Sequence, residues 1–144
     1  MVAINIREID HVVIRARDPA RLERFYCDVL GCTIAHRQDA IGLVHLRAGR
    51  SLIDLIAVDG PLGRKGGAAP GSEGRNVDHV CLRVEPFDAD AIGRHLEAHG
   101  VRIEESGRRY GAEGEGFSLY VRDPEGNVVE LKGPSDGDVT GAAS

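Results

Sequence analysis

A short segment that occurs twice constrains this chain more than any other feature. Ile9-Asp10-His11-Val12 returns 68 residues later as Val77-Asp78-His79-Val80. Each copy opens a stretch whose pattern predicts a strand, a helix and further strands, and each carries a histidine at the same place on its first strand. Two copies of one module, each with a histidine, can hold a single metal ion between them. The repeat therefore bears on the fold and on the chemistry together.

The first half of the chain has the pattern of a β-α-β-β-β module. Asp18-Pro19 predicts a helix start, because aspartate caps helices well and proline suits the first helical position. Apolar residues at helical spacing follow, and Gly31 predicts the end of the helix as a left-handed cap residue. Segments rich in β-branched residues predict strands at Ile6–Ala16, Thr33–Arg37, Ile41–Arg47 and Ser51–Val58.

The second half repeats this plan, with a helix predicted over Asp88–His99. The predicted strands are Val77–Val84, Arg102–Ser106, Phe117–Arg122 and Val128–Lys132. We therefore expect an α+β fold of two βαβββ modules, at 6–58 and 77–133. A connector at 59–76, rich in glycine, joins them, and a polar tail follows at 134–144. Modules of this size are marginal alone, so the chain is predicted to form one domain.

Composition argues against several classes of function. The formal net charge is −5 and the Lys and Arg residues are scattered, whereas nucleic acids bind clustered basic faces. No apolar stretch approaches the roughly 20 residues that span a bilayer, and no signal-peptide pattern is present. We therefore expect no nucleic-acid or membrane partner and a cytoplasmic location. Cys27, Cys32 and Cys81 form no disulfide or zinc pattern, so small buried hydrophobes are the expectation.

Strand parity places both repeated histidines on mixed faces, opposite purely apolar ones. Two acids, Asp54 and Glu130, lie between apolar residues in the last strand of each half. A buried lone carboxylate is costly unless it is paired, hydrogen-bonded or bound to a metal. Two histidines with one or two carboxylates bind divalent first-row metals and leave coordination positions open.

Each of these residues taken singly favours a structural role, because a lone strand histidine is more often a satisfied core residue than a ligand. Their coincidence under one repeat reverses that interpretation for His11, His79 and Glu130. For Asp54 both interpretations stand, since it could lie on an exposed edge. Asp10 and Asp78 could simply begin strands.

The stretch from Ser118 to Glu130 resembles the signature of a known group. Tyr120, the turn Asp123-Pro124-Glu125-Gly126-Asn127 and Glu130 stand at the spacing typical of the vicinal oxygen chelate superfamily. That group includes glyoxalase I, fosfomycin-resistance proteins, methylmalonyl-CoA epimerase, extradiol dioxygenases and bleomycin-binding proteins. The resemblance covers roughly Ile9 to Lys132. The segment from Arg109 through Gly111-Ala112 looks most like the glyoxalase-domain-containing branch.

The resemblance implies a fold and a site. The fold is a half-open mixed β-sheet barrel around a metal, with the helices outside, commonly assembled as a homodimer. His11, His79 and Glu130 match the three shared metal ligands, and Ni, Zn, Mn and Fe are all compatible with them. Asp54 stands where glyoxalase I has a fourth ligand, so it is expected to bind directly, bind through water or act as a base. Tyr120 matches a pocket tyrosine that can hydrogen-bond a substrate oxygen, with plain packing as the alternative.

Several reactions are compatible with this set. The carboxylate at Asp54 favours a glyoxalase-like lyase or isomerase acting on a small substrate with adjacent carbonyl and hydroxyl oxygens, with Glu130 or Asp54 moving a proton. The alternatives are metal-dependent transfer of a thiol co-substrate, extradiol dioxygenation, and antibiotic binding without chemistry. Dioxygenases of this group usually carry a histidine seven to nine residues before the tyrosine, where this chain has Gly111, Ala112 and Glu113. His45 could substitute from another strand.

Overall fold

The computed structural model describes residues 3–136. The chain divides into two compact units, with the boundary between Gly74 and Arg75. Unit 1 contains the first copy of the repeat and the connector up to Gly74, and unit 2 contains the second copy. The predicted tail at 134–144 falls mostly outside the described residues, from position 137 onward.

Unit 1 is a four-stranded mixed sheet with one helix. Its strands stand in the order β1-β4-β3-β2, with β1 parallel to β4 and the other pairs antiparallel. The elements are β1 His11–Ala16, α1 Pro19–Arg24, β2 Thr33–Gln38, β3 Leu43–Ala48 and β4 Ser51–Ala57.

The helix of unit 1 covers one face of its sheet. The Asp18 side chain accepts from the backbone N–H of Arg21 at 3.1 Å, and so caps α1 as the Asp-Pro pair predicts. A π-helical stretch, Phe25–Val29, continues α1. Leu22 of α1 and Ile14 of β1 are fully buried, which leaves the opposite face of the sheet for polar side chains.

Unit 2 repeats this arrangement, with strand order β5-β8-β7-β6 and only β5 and β8 parallel. Its elements are β5 Val80–Arg83, α2 Ala89–Ala98, β6 Glu105–Gly111, β7 Gly114–Arg122 and β8 Val128–Lys132. Asp88 caps α2 by accepting from the backbone N–H groups of Asp90 and Ala91. The predicted α+β class and the βαβββ order of both halves are confirmed. Neither sheet is closed into a barrel.

Four predicted strands have an end that differs by three or more residues from the observed one, and one of them is β7, which begins at Gly114 rather than Phe117. Both first strands are shorter than predicted, since β1 begins at His11, where its pairing with β4 begins, and β5 covers only Val80–Arg83. The strand predicted at Arg102–Ser106 was misplaced, because β6 runs over Glu105–Gly111. A tight turn joins β6 to β7, with Gly111 paired to Gly114. The φ angle of Gly114 is +109°, in a region that favours glycine, and this allows the hairpin to extend to the turn.

The connector is held against unit 1 by one arginine. The Arg15 guanidinium donates to the carbonyl oxygens of Gly63, Gly67 and Ala68 at 3.1, 2.7 and 3.1 Å. A Cβ on Gly66 would lie 2.5 Å from the Arg15 guanidinium carbon, so a larger residue there would displace the guanidinium. Over residues 3–136 no helix has the length and apolar character needed to cross a membrane. That the whole chain is one domain stays a prediction.

Candidate functional site

His11 begins β1 and is hydrogen-bonded through the ring nitrogen nearer its backbone. Its Nδ1 lies 2.8 Å from Oδ2 of Asp10, and its Nε2 lies 3.9 Å from Oδ2 of Asp54. The hydrogen bond to Asp10, helped by the charge of Asp54, raises the pKa of His11 above its ordinary value. Asp10 therefore occupies Nδ1 and leaves Nε2 directed towards the second carboxylate.

Asp54 lies in β4, between β1 and β3, and only 3% of its surface is exposed. Its Oδ1 accepts from Nδ1 of His45, the residue directly opposite in β3, at 2.9 Å. Nε2 of His45 lies 3.0 Å from Nε2 of Gln38 in β2. One polar chain thus crosses all four strands of the sheet. We call it the unit 1 ladder: His11, Asp54, His45 and Gln38.

His79 has the same surroundings in unit 2, immediately before β5. Its Nδ1 lies 2.7 Å from Oδ1 of Asp78, and its Nε2 lies 3.1 Å from Oε1 of Glu130. Each repeated histidine thus has an aspartate on Nδ1 and a buried carboxylate on the side of Nε2. Second carboxylates of this kind fix the ring orientation of metal-binding histidines.

Glu130 lies in β8 and is 5% exposed. Its Oε2 accepts from the Ser118 hydroxyl at 2.5 Å, and the Tyr120 hydroxyl also hydrogen-bonds to it. Burial would raise the pKa of this carboxyl, but the two hydrogen bonds and the nearby His79 outweigh burial and hold the pKa below its ordinary value. Glu130 is therefore stabilised as the carboxylate that a metal ion requires.

Tyr120 lies opposite Glu130 in the β7–β8 register, with its ring 5.9 Å from that of His79. Nε of Arg109, in β6, donates to the phenol oxygen at 3.1 Å. Burial and the hydrogen bond to Glu130 raise the pKa of the phenol, and Arg109 opposes the shift. The tyrosine is thus a neutral donor beside the glutamate. A second polar chain crosses this sheet, which we call the unit 2 ladder: His79, Glu130, Tyr120 and Arg109.

The strand registers make the first three positions of the two ladders equivalent. His11 pairs with Leu52, which lies two residues before Asp54. Val80 pairs with Val129, so the same register places His79 opposite Val128, which lies two residues before Glu130. The ring residue opposite each carboxylate is His45 in unit 1 and Tyr120 in unit 2.

The structure brings the predicted site residues together as two pairs, His11 with Asp54 and His79 with Glu130. Asp54 is buried and hydrogen-bonded, so its exposed-edge alternative was wrong. Over residues 3–136 no cluster of three or more His, Cys, Asp or Glu side chains is arranged to hold a metal ion. The three-residue ligand set therefore stays a prediction.

Sequence reasoning missed several members of the site. Asp10 and Asp78 were considered only as residues that could begin strands, although their presence in both copies of the repeat was the available signal. Ser118 lay in the signature stretch without an assigned role, and Gln38 carried no signal. Cys81, expected to be buried, is exposed, but partial desolvation and the nearby Glu130 raise the pKa of its thiol to about 11. At neutral pH it is therefore a thiol rather than a reactive thiolate.

Known proteins match this chain over nearly its whole length. It is 31% identical to virulence protein STM3117 of Salmonella typhimurium over 128 aligned residues. The alignment covers 88% of this chain and 83% of that protein. The crystal structure of the Salmonella protein matches with a TM-score of 0.76 and 28% identity, over 91% of this chain and 99% of that one. The glyoxalase domain-containing protein RDO1 of Mycosarcoma maydis is 28% identical over 142 residues, 92% of this chain and 72% of that protein.

A lactoylglutathione lyase from Agrobacterium tumefaciens shares the fold, with a TM-score of 0.66 over 95% of this chain and 98% of that one. At 24% identity this likeness concerns the fold alone. The family model described as the Glyoxalase/Bleomycin resistance protein/Dioxygenase superfamily matches residues 8–131, from just before the first histidine to just after Glu130. The duplicated module and both ladders lie within that range, and the chain belongs to this superfamily.

Proposed function

We propose that this protein is a divalent-metal-dependent lyase or isomerase of glyoxalase type, with His11, His79 and Glu130 as the metal ligands. One observation carries the proposal. In both units an aspartate engages Nδ1 of the repeated histidine, while Nε2 is directed towards a buried carboxylate. A proton shared with aspartate at Nδ1 leaves the Nε2 lone pair for a metal.

The residues present fit a divalent metal by the chemistry of their donors. Imidazole nitrogen and carboxylate oxygen bind Ni, Zn, Mn and Fe, so the donors do not select among these metals. Glu130 is held ionised by its neighbours. Members of the superfamily commonly use divalent metals and bind small molecules, which supports the same assignment.

The proposed chemistry divides between the metal and the protein. The metal, when bound, would act as a Lewis acid towards two adjacent substrate oxygens. Asp54 accepts a proton from the substrate carbon beside the carbonyl and returns it to the neighbouring carbon, as general base and then general acid. When the substrate binds, the Tyr120 hydroxyl turns its single proton from Glu130 to a substrate oxygen. The substrate class is a small molecule with neighbouring carbonyl and hydroxyl groups, and a hemithioacetal brings in a thiol co-substrate.

Three further features belong to this proposal. We propose that the protein works in the cytoplasm and as a homodimer, as two-module members of the superfamily commonly do. The name of the fungal relative, a glyoxalase domain-containing protein, supports assignment to the glyoxalase-domain-containing branch but indicates no substrate.

The test combines metal analysis with proton exchange. Protein purified without a metal-affinity column is analysed for metals, reconstituted with Ni, Zn, Mn and Fe in turn, and incubated in D₂O. The probes are dihydroxyacetone, lactaldehyde and the hemithioacetal of methylglyoxal and glutathione. We expect near-stoichiometric metal and metal-dependent loss of the ¹H signal on the carbon beside the carbonyl of at least one probe.

The matched control is the His11→Ala, His79→Ala double variant, which should hold neither metal nor exchange activity. Wild-type protein that takes up none of the four metals would overturn the proposal. The alternative function, binding of a small molecule without chemistry, would then be favoured. Metal uptake without exchange of any probe would remove the lyase and isomerase assignment while keeping the metal site.

A further inference from the structure

We propose that His45 is a positioning residue for Asp54, and that Gln38 holds His45 in the tautomer that this role requires. The inference rests on the proposed function, because it takes Asp54 as the group that transfers the proton. It assigns a role to two side chains that lie outside the metal ligand set.

The carboxylate of Asp54 has two oxygens in different surroundings. Oδ1 accepts from His45, while Oδ2 is the atom nearer to Nε2 of His11. Because Asp54 is almost completely buried, an oxygen already engaged by His45 is not the one that reaches a substrate. The hydrogen bond from His45 therefore leaves Oδ2 as the oxygen that can accept the substrate proton, and it limits rotation of the carboxylate.

The partners of His45 determine where its proton lies. A neutral imidazole has one donor and one acceptor nitrogen, and a carboxylate only accepts. Nδ1 must therefore carry the proton given to Asp54, and Nε2 must accept. The amide nitrogen of Gln38, 3.0 Å from Nε2, is a donor that meets this requirement. Gln38, His45 and Asp54 form a chain of hydrogen bonds with a single direction.

Neighbouring features keep the His45 ring in place. The ring stacks on His36 of β2, with centroids 5.7 Å apart and an interplanar angle of 26°. His45 also pairs directly with Asp54 in the antiparallel register, so the two side chains leave the sheet on the same face. The equivalent position in unit 2 is Tyr120, which hydrogen-bonds Glu130. Each unit thus uses the residue opposite its carboxylate to hold that carboxylate.

The tautomer is tested directly in the apoprotein. Two-bond ¹H–¹⁵N correlation spectra of ¹⁵N-histidine-labelled protein show which imidazole nitrogen is protonated. We expect the Nδ1–H form for His45, unchanged in His36→Leu, which removes the stacked ring but none of the hydrogen bonds. In Gln38→Glu the partner of Nε2 becomes an acceptor, so His45 should carry protons on both nitrogens. An Nε2–H form in the wild type would overturn the inference.

The functional part is tested by exchange of the probe that the metal-loaded wild type processes. His45→Leu should lower the exchange turnover number on the order of 10- to 100-fold, because misplacing a catalytic group costs this much. KM and metal content should stay unchanged. His45→Asn, whose amide can still donate to Asp54, should recover part of the loss, and Glu97→Gln, on an exposed position of α2, should keep wild-type turnover.

Two results separate the failure of this inference from the failure of the proposed function. Active wild-type protein with equally active His45→Leu would overturn the positioning role and leave the proposed function standing. A wild type that exchanges no probe would remove the proposed function and with it the proton-transfer role. Loss of metal or of the folded NMR spectrum in both His45 variants would make His45 a structural residue instead.

Discussion

The two ladders share their geometry and differ in their chemistry. Both run from a histidine to a carboxylate, then to a ring and a polar side chain on the far edge strand. In unit 2 the carboxylate is a glutamate that accepts from two neutral hydroxyls, and the ladder ends in a cation, Arg109. In unit 1 the carboxylate is the shorter Asp54, held by His45, and the ladder ends in the neutral Gln38.

This difference indicates a division of labour between two copies of one module. Hydroxyl donors that do not titrate near neutral pH favour a permanently ionised carboxylate, as a metal ligand must be. The histidine nitrogen and carboxylate are also closer in unit 2, at 3.1 Å between His79 and Glu130, than in unit 1, at 3.9 Å between His11 and Asp54. We therefore propose that Glu130 of the unit 2 ladder serves as a metal ligand, whereas Asp54 of the unit 1 ladder transfers the proton.

The largest expected effect comes from exchanging the acid for its amide in each unit. Glu130→Gln removes a ligand, so we expect metal affinity to fall by more than about a hundredfold. Loss of a residue that only hydrogen-bonds a ligand typically lowers metal affinity about 10- to 100-fold. Asp54→Asn should keep metal affinity within a few-fold and lose proton exchange. Competition titration with a chromogenic chelator measures the first quantity, and ¹H NMR in D₂O measures the second.

The division of labour fails if the two variants lose metal equally, since Asp54 would then be a fourth ligand. Unchanged metal occupancy in Glu130→Gln would remove Glu130 from the ligand set altogether. Circular dichroism of both variants shows whether either change has merely unfolded its unit.

A smaller effect is expected at the aspartate behind His79. Asp78→Asn keeps a hydrogen-bond acceptor for Nδ1 but removes the charge, 2.7 Å away. Loss of a residue behind a metal ligand typically lowers affinity about 10- to 100-fold, and we expect the lower part of this range because the acceptor is kept. The same titration measures it. Glu97→Gln, on an exposed position of α2, serves as the surface-charge control, and equal affinities for the two variants would contradict the role of Asp78.

The repeat allowed much of the fold to be predicted from the sequence. β8 has the predicted bounds, α1 begins beside its predicted Asp18 cap, and α2 begins one residue after its predicted start at Asp88, because capping and turn residues act locally. The strand before β7 was misplaced because its hairpin turn at Ala112-Glu113 lacks a strong turn signal. Its end is defined by pairing with β7 rather than by its own composition.

The site was predicted less completely than the fold, because the ladders depend on strand register. His11, Asp54, His79 and Glu130 could be recognised in a repeat, whereas Ser118 reaches Glu130 only diagonally across two strands. The contact between His45 and Asp54 could have been predicted from the sequence. Counting outward from the two-residue turn at Gly49-Arg50 pairs it directly with Asp54.

The smallest expected effect is the pH dependence of the apoprotein at His11. The hydrogen bond to Asp10 raises the His11 pKa above its ordinary value of about 6.5, so protonated His11 stabilises the folded state. That contribution is fully present below the ordinary pKa and is lost as pH rises through the raised folded-state pKa. In Asp10→Asn the His11 pKa, measured by ¹H NMR titration, should fall towards the ordinary value.

Urea unfolding of the apoprotein across the same pH range checks the sign of this linkage. The stability advantage of wild type over Asp10→Asn should be largest at pH values below the ordinary histidine pKa and should shrink as pH rises past the raised one. An advantage that stays constant with pH would show that Asp10 acts through the strand start rather than through His11.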